Sequence, residues 1–286
     1  MLKIGMSSCA FPLNEESFSA LAQAGLDAIE ISMPAVKHAE IDFAQTKQFA
    51  DRYGILLWSY HLPFAKPDVL DIASLDEEIR TKTVDTWCEL IKKGSEIGIH
   101  KFVAHPSSEP KSVEPEERKQ EIEQAMRSLQ TLAEVARQNG SIVAVENLPR
   151  SCLGRSSAEL LQLLSADPDL KICFDTNHLL IEDPIQFLDQ VASKIVTLHV
   201  SDYDFVNERH WLPGEGDINW QLLYQKLVQH GYCGVWMYEI GMKAPATILR
   251  SRDLCPADYI ANAKQIFAGE KPTPIGTRKE NLGMWK

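Results

Sequence analysis

Short, wholly apolar runs alternate along this chain with longer stretches in which apolar residues recur every three or four positions. The short runs suit strands buried on both faces of a parallel sheet, and the longer ones suit amphipathic helices laid against it. Leu2 to Ser7 is predicted as the first strand, and about Asn14 to Ala24 as a helix stopped by Gly25. Asp27–Ser32 is the second strand, and Phe43 to Tyr53 the next helix, closed by Gly54. Ile55–Tyr60 is the third strand, ending at His61, and a long helix covers roughly Asp76 to Ile97. Lys101–Ala104 is the fourth strand, ending at His105, before another long helix over about Pro115 to Gln138. Ser141–Val145 is the fifth strand, ending at Glu146-Asn147, with a shorter helix at Ser157 to Leu164. Lys171–Phe174 is the sixth strand, running into Asp175, and Pro184 to Val191 a short helix. Ile195–Leu198 is the seventh, ending at His199; a loop over Ser201 to Asp217 then leads to a helix at about Trp220 to His230. Val235–Tyr238 is the eighth, ending at Glu239, and a last helix runs from about Pro256 to Phe267.

Eight such alternations with no break in composition predict a single (β/α)8 TIM barrel over residues 1–268. A doubly wound sheet is the competing architecture, but no GxGxxG follows the first strand. The Pro-, Gly- and Lys-rich stretch 269–286 is expected to be a loosely packed tail or an oligomer arm.

Composition narrows the partners. With 44% hydrophobic and 24% charged residues the chain is ordinary for a globular protein, and its net charge of -11 provides no global basic field for nucleic acid or anionic lipid. Six cysteines without a CxxC pair read as reduced core residues of a cytoplasmic protein. No signal peptide is evident, and no apolar run approaches the ~18–20 residues of a membrane span.

The strand ends carry the chemistry. In a barrel the C-terminal ends of the strands converge on one mouth. Here those ends are His61, His105, Glu146, Asp175 with His178 three residues on, His199 and Glu239. Arg209 and His210 lie in a Gly/Pro turn beyond the seventh strand, so five of the eight histidines share this face. Any one of them has a plain reading: a hydrogen-bonded core histidine, or, for Asp175, a cap on the following helix. Together, three carboxylates at one mouth would repel without a counter-charge. One divalent cation held by Glu146, Asp175, His199 and Glu239 resolves this, and the hard-to-borderline donor set suits Mn, Mg, Co or Zn. A metal-free binding barrel would leave the carboxylates unexplained.

Val145-Glu-Asn147, Phe174-Asp-Thr-Asn-His178, Leu198-His-Val-Ser-Asp202, Arg209-His-x-x-Pro-Gly-Glu-Gly216 and Tyr238-Glu239, in this order, resemble the motif series of the xylose-isomerase-like TIM-barrel superfamily. That group includes sugar and sugar-phosphate isomerases and epimerases, inosose dehydratases, hydroxypyruvate isomerases and type IV apurinic endonucleases. The resemblance spans about residues 1–268 and implies a metal-dependent enzyme acting on a small sugar or polyol-derived substrate. In the isomerase/epimerase branch it implies that Glu146 and Glu239 are catalytic as well as metal ligands, moving a proton on the carbon α to a carbonyl. His61, His105, His178, Arg209 and His210 are then expected to contact substrate, and Trp58 or Phe11 to pack on its apolar face or in the core.

Two alternatives follow from the same resemblance. An inosose-type dehydratase would use the same metal, and an apurinic endonuclease would add zinc ions on His61, His105, His178 and His210. Glu208 departs from that nuclease pattern, which has an aspartate before the Arg-His. The loops after strands two and three, Met33–Ala39 and His61–Pro67, supply only Lys37 and Lys66 for gripping phosphates. The nuclease is therefore the runner-up, and nucleic acid is not the expected partner. Lys243, Arg250 and Arg252 after strand eight could hold a substrate phosphate, lie solvated, or contact a second subunit of a homo-oligomer.

Overall fold

The computed structural model describes residues 1–280 and 282. Its strands are β1 (Lys3–Ser7), β2 (Ala28–Ile31), β3 (Leu56–His61), β4 (Lys101–Ala104), β5 (Ile142–Glu146), β6 (Lys171–Asp175), β7 (Ile195–His199) and β8 (Val235–Tyr238). Between them run α1 (Glu15–Ala24), α2 (Phe43–Tyr53), α3 (Glu77–Glu96), α4 (Pro115–Gln138), α5 (Ser157–Leu164), α6 (Pro184–Val191) and α7 (Trp220–Gln229), with α8 (Pro256–Phe267) last. The eight parallel strands lie in the order β7-β6-β5-β4-β3-β2-β1-β8, and the ring closes just past the end of β7. There the Val200 amide donates to Met237 O at 2.8 Å and the Glu239 amide to Val200 O at 3.2 Å. This is a (β/α)8 TIM barrel, as the alternation predicted.

Local chemistry places the helix boundaries. Asn14, Asp42, Ser156 and Asn219 each accept an amide hydrogen bond at a helix start, satisfying a donor that the first turn leaves open. The α2 helix ends at Gly54, whose φ of 67° is the left-handed conformation glycine adopts without a Cβ penalty.

Strand residues alternate between two environments. Val143, Val145, Ile172, Phe174, Leu198, Trp236 and Tyr238 face outward into the main core beneath the helices. The barrel interior starts from its N-terminal end with Trp58, Ala28, Val235 and Met237 in one cluster and Val103, Ala144, Cys173 and Val196 in another. The next inward position on β5 and β6 is Glu146 and Asp175, two residues along, because the side-chain period of a strand is two. A register shift between β2 and β3 pairs Ile29 with Leu57 but Glu30 with Ser59. Such a bulge re-aims side chains, and here both Trp58 and Ser59 reach the interior.

Two expectations need correction. Trp58 is not at the mouth: its indole donates to Thr197 Oγ1 at 3.0 Å, and the Lys101 ammonium, from the first residue of β4, lies 3.5 Å from its ring centroid. That places it three residues below His61, toward the opposite end of the barrel. The stretch after α8 is tied down where it is described. A short antiparallel pair joins β9 (Ile248–Leu249) to β10 (Thr277–Arg278), and Arg278 donates to Glu215 O and pairs with Asp217. Asn281 and residues 283–286 of the expected tail lie outside the described residues. Among the cysteines, all free, Cys88, Cys152 and Cys173 are buried, whereas Cys9, Cys233 and Cys255 are not core residues.

Candidate metal centre

Four strand ends deliver one ligand group. Candidate ligand atoms of Glu146, Asp175, His199 and Glu239 all lie within 4.8 Å of one another. His199 Nδ1 is 3.0 Å from Glu146 Oε1, 3.5 Å from Glu239 Oε2 and 3.8 Å from Asp175 Oδ2. Asn147 locks the β5 and β6 ends: its amide donates to Asp175 O, and its oxygen accepts the Asp175 N–H, both at 2.8 Å.

The motif around Asp175 is used residue by residue. Asp175 is a candidate ligand; the Thr176 hydroxyl donates to Ser201 O at 2.7 Å, tying β6 to the loop after β7. Asn177 Oδ1 accepts the amides of Arg209 and His210, holding that loop over the mouth. The loop itself is organised by buried Asp202, which accepts from the amides of Tyr203, Gly214 and Ile218 and from the Trp220 indole. Gly216 is required there, because a Cβ would fall 2.0 Å from Asp202 Oδ1.

Several histidines have a fixed tautomer. A carbonyl only accepts, so His61 Nδ1, 2.9 Å from Leu62 O, carries a proton, as does His178 Nδ1 against Asn147 O at 2.9 Å and His210 Nδ1 against Glu239 O at 3.1 Å. In each ring Nε2 then faces a carboxylate: Glu146 Oε2 at 3.2 Å for His61, and Glu208 Oε1 at 3.0 Å and 3.6 Å for His178 and His210. His105 Nε2 also lies 3.3 Å from Glu146 Oε2. For His61, His178 and His210 a neutral imidazole would point a lone pair at an anion, so each of those contacts calls for a proton or a cation, whereas a neutral His105 can donate to Glu146 through Nε2. Backbone-pinned histidines converging with carboxylates are the arrangement that metal ligands adopt.

Burial opposes charge throughout this mouth, and neighbours decide the outcome. Burial raises the Asp175 carboxyl to about 7, with Glu239 and Glu146 adding to it and His178 opposing. Burial would lower His178, but Asp175 and Glu208 outweigh it and lift the imidazole to about 10. His210 rises in the same way to about 9, chiefly through the neighbouring Glu208 carboxylate. Glu146 is held well below the carboxylate range by His199 and His105 in spite of its burial.

The donor set fits a divalent cation by one further observation. Asp175 Oδ2 is buried with no hydrogen-bond partner, although Oδ1 accepts the Asn177 amide at 2.6 Å. An orphaned carboxylate oxygen is costly in a protein interior, and this one is aimed into the four-ligand group.

Residues 18–255 match the sequence model of the xylose isomerase-like TIM barrel. The chain belongs to that family. Within it, this xylose isomerase-like barrel is 27% identical over 246 residues to the uncharacterised protein MJ1311 of Methanocaldococcus jannaschii, covering 82% of each chain. It is 30% identical to the probable endonuclease 4 of Aquifex aeolicus over 116 residues, 39% of this chain and 40% of that one. Its fold matches a crystal structure of a D-tagatose 3-epimerase-like protein with a TM-score of 0.79 and 23% identity, over 93% of this chain and 97% of the other.

The other sequence-derived site residues divide. A cavity of about 340 Å³, within the range of small-ligand sites, is lined by Phe64, Lys66, His105, Arg150, His178 and Glu208, among others. His105 and His178 are therefore placed at the cavity, with His210 next to them across Glu208. His61 does not line that cavity: it is buried with its ring nitrogens directed at Leu62 O and Glu146. Arg209 also differs from expectation, because its buried guanidinium turns back onto Asp204 in its own loop, with Nε donating at 2.9 Å. Phe11 packs in the main core. Arg250 forms a fully buried pair with Glu215, and Arg252 pairs with Asp258, so both are committed to carboxylates of the fold.

Three residues stand out that the strand-end reading missed. Glu30 sits inside the barrel and accepts hydrogen bonds from His199 Nε2 at 2.9 Å and from Ser59 Oγ at 2.8 Å. A glutamate inside the apolar run Ala28–Ile31 was the available signal. Phe64 is 48% exposed and stacks on His105 at 4.6 Å, giving the cavity the aromatic wall expected of Trp58 or Phe11. Arg150, four residues beyond Glu146, lines the cavity where the guanidinium of Arg209 was expected.

Among the described residues no helix is long and apolar enough to cross a membrane.

Proposed function

We propose that this protein is a divalent-metal-dependent isomerase or epimerase of a sugar or sugar phosphate, working by proton abstraction α to a carbonyl. The observation that carries the reading is the pairing of Glu146 and Glu239 in one ligand group from β5 and β8, strands well separated around the ring. One Mn, Mg, Co or Zn ion held by Glu146, Asp175, His199 and Glu239 would polarise a substrate carbonyl and its neighbouring hydroxyl and stabilise the charge of an enediolate.

The protein's own groups supply the rest. Glu239, with 14% of its side chain accessible, is the more open carboxylate and removes the α-proton; Glu146, packed against His61, His105 and His199, lies deeper on the other side. Return of the proton by the second glutamate inverts the carbon, and return at the neighbouring carbon exchanges aldose for ketose. His178 and His210 hold substrate hydroxyls, Phe64 covers an apolar sugar face, and the walls of the cavity limit water. The D-tagatose 3-epimerase-like neighbour supports the substrate class through its fold.

The test is deuterium incorporation. The metal-loaded protein, incubated in D2O with a panel of ketoses and ketose phosphates, is expected to label the α-carbon of at least one of them, and Glu239→Gln and Glu146→Gln to lower that rate by about 10²–10⁴-fold. Absence of labelling across the panel with Mn, Co and Zn would sink the proposal.

A second reading is favoured by one observation. Besides the four-ligand group, His61, His105 and Glu146 form a candidate metal group, as do His178, Glu208 and His210. Adjacent groups that share a carboxylate are what a multi-zinc phosphodiesterase of the apurinic-endonuclease type needs. Cleavage of an abasic duplex at low enzyme concentration would select this reading over the first.

A further inference from the structure

We propose that Arg150 sets how many ions this mouth holds, by occupying Glu208 and keeping the His178–Glu208–His210 group from binding a divalent cation on equal terms with the Glu146 group. The inference rests on the metal-dependent reading above and goes beyond it, to which ligand groups are loaded and why.

The carboxylate of Glu208 is divided between two kinds of partner. Its Oε1 faces His178 Nε2 at 3.0 Å and His210 Nε2 at 3.6 Å, and its Oε2 accepts a hydrogen bond from Arg150 Nη1. Arg150 is itself anchored. Its Nε and Nη2 donate to Glu109 at 2.8 Å and 2.7 Å, and Nη1 lies 3.4 Å from Asn207 Oδ1. Its backbone is left-handed, with φ of 52°, a conformation that non-glycine residues adopt mainly where the surroundings impose it. The residue is thus held across the loops after β4, β5 and β7, and Glu109 fixes it in place while offsetting part of its charge.

The two carboxylate groups differ in the kind of cation beside them. Among the described residues, the ion pairs of Glu146, Asp175 and Glu239 are all with histidines. A histidine can give up its proton and become a ligand, so an incoming metal ion replaces the charge that it displaces. A guanidinium keeps its charge at any working pH and offers no lone pair. Beside Glu208 it therefore repels a second cation and takes up Oε2, leaving only Oε1 on the side of the two histidines. Such repulsion, even damped to the level of bulk water, is worth about tenfold or more in affinity. The Glu146 group fills first, and the His178 group stays available to substrate hydroxyls.

The experiment is a Zn²⁺ titration of the chelator-stripped full-length protein in a metal buffer, with bound zinc counted by mass spectrometry. In the wild type, His178→Ala is expected to leave the number of tightly bound ions unchanged, because the His178 group is not among the first to fill. Arg150→Gln is expected to gain one additional ion at about tenfold lower free zinc, and adding His178→Ala to that variant should abolish the gain. Arg150→Lys, which keeps the charge, should behave as the wild type. Because the chain carries six free cysteines that would take up zinc in a damaged fold, reversal of the gain by His178→Ala, at unchanged circular dichroism, is what assigns it to the His178 group. If Arg150→Gln does not fold, the comparison of wild type with His178→Ala decides alone. Loss of one tightly bound ion on His178→Ala, or no gain in a folded Arg150→Gln, overturns the inference and leaves the metal-dependent reading standing. A wild type that binds no zinc tightly overturns both.

Discussion

His199 donates through Nε2 to Glu30 across the barrel interior at 2.9 Å, and so turns Nδ1 toward Glu146, Asp175 and Glu239. The carboxylate behind the ring keeps a proton on Nε2, so that Nδ1 is the nitrogen that could bind a metal ion. Support of this kind typically accounts for 10–100-fold in metal affinity. Glu30→Gln keeps the volume and an acceptor oxygen but removes the charge and frees the side chain to donate. It is expected to weaken Zn²⁺ or Mn²⁺ binding by about tenfold while circular dichroism stays unchanged, as measured by competition with a chromophoric chelator.

Asp175 predicts opposite effects with and without metal. Its buried Oδ2 has no hydrogen-bond partner, and burial lifts its carboxyl to about 7. Asp175→Asn removes a charge that the metal-free protein has to bury. The metal-free variant is expected to be about 1 kcal/mol more stable than metal-free wild type, yet to lose most of the stabilisation that added metal confers. Thermal unfolding of both proteins with and without a chelator checks both signs; equal responses to metal would remove Asp175 from the ligand set.

Metal uptake should release protons. Asp175 and Glu208 outweigh burial to raise His178 to about 10, and Glu208 raises His210 to about 9, so both rings are protonated at neutral pH in the metal-free protein. Protonation of these rings is favoured in the fold over the unfolded chain, whose histidines titrate near 6.5. The stability it contributes is therefore complete below about 6.5 and is lost as pH rises through about 9 to 10. Metal binding at the Glu146 group runs the other way, because its candidate ligands Asp175 and His199 must be deprotonated to bind. Burial raises Asp175 to about 7, and neighbouring carboxylates raise His199 above the usual imidazole range in spite of burial. Metal-induced stabilisation is expected to grow with pH from about 6 to 9, and calorimetric titration in buffers of different ionisation enthalpy should register the protons released.

The strap at the C-terminal side of the mouth is a matter of stability. Arg250 and Glu215 form an ion pair with side chains 0% exposed, and Glu215 also accepts the amides of Leu212 and Gly276. Removing one partner of a buried pair leaves an uncompensated charge. Arg250→Met is expected to cost about 3 kcal/mol, read as a lower urea midpoint at unchanged m-value. A change below ~0.5 kcal/mol would place Arg250 among ordinary surface residues.

How far the sequence reached follows from which distances matter. The barrel was legible because apolar runs and amphipathic stretches are local patterns, fixed by a strand period of two and a helix period of 3.6. Glu146, Asp175, His199 and Glu239 were legible for the same reason: each terminates an apolar run, and parallel strands in a barrel must end on one face. Glu30 was not, because a register shift between β2 and β3 pairs it with Ser59, and a one-residue shift in pairing changes which neighbours a side chain meets. Loops were least legible. Arg209 turns onto Asp204 and Arg150 takes up the position over the cavity, a choice made by contacts between residues 41 and 58 positions apart in the chain. The sequence alone determined the barrel and the set of carboxylates and histidines that its strand ends bring to the mouth. Only the tertiary structure decided which nitrogen each pinned histidine offers, which arginine faces the cavity and where the chain beyond α8 is tied down, because those depend on partners that local periodicity does not encode.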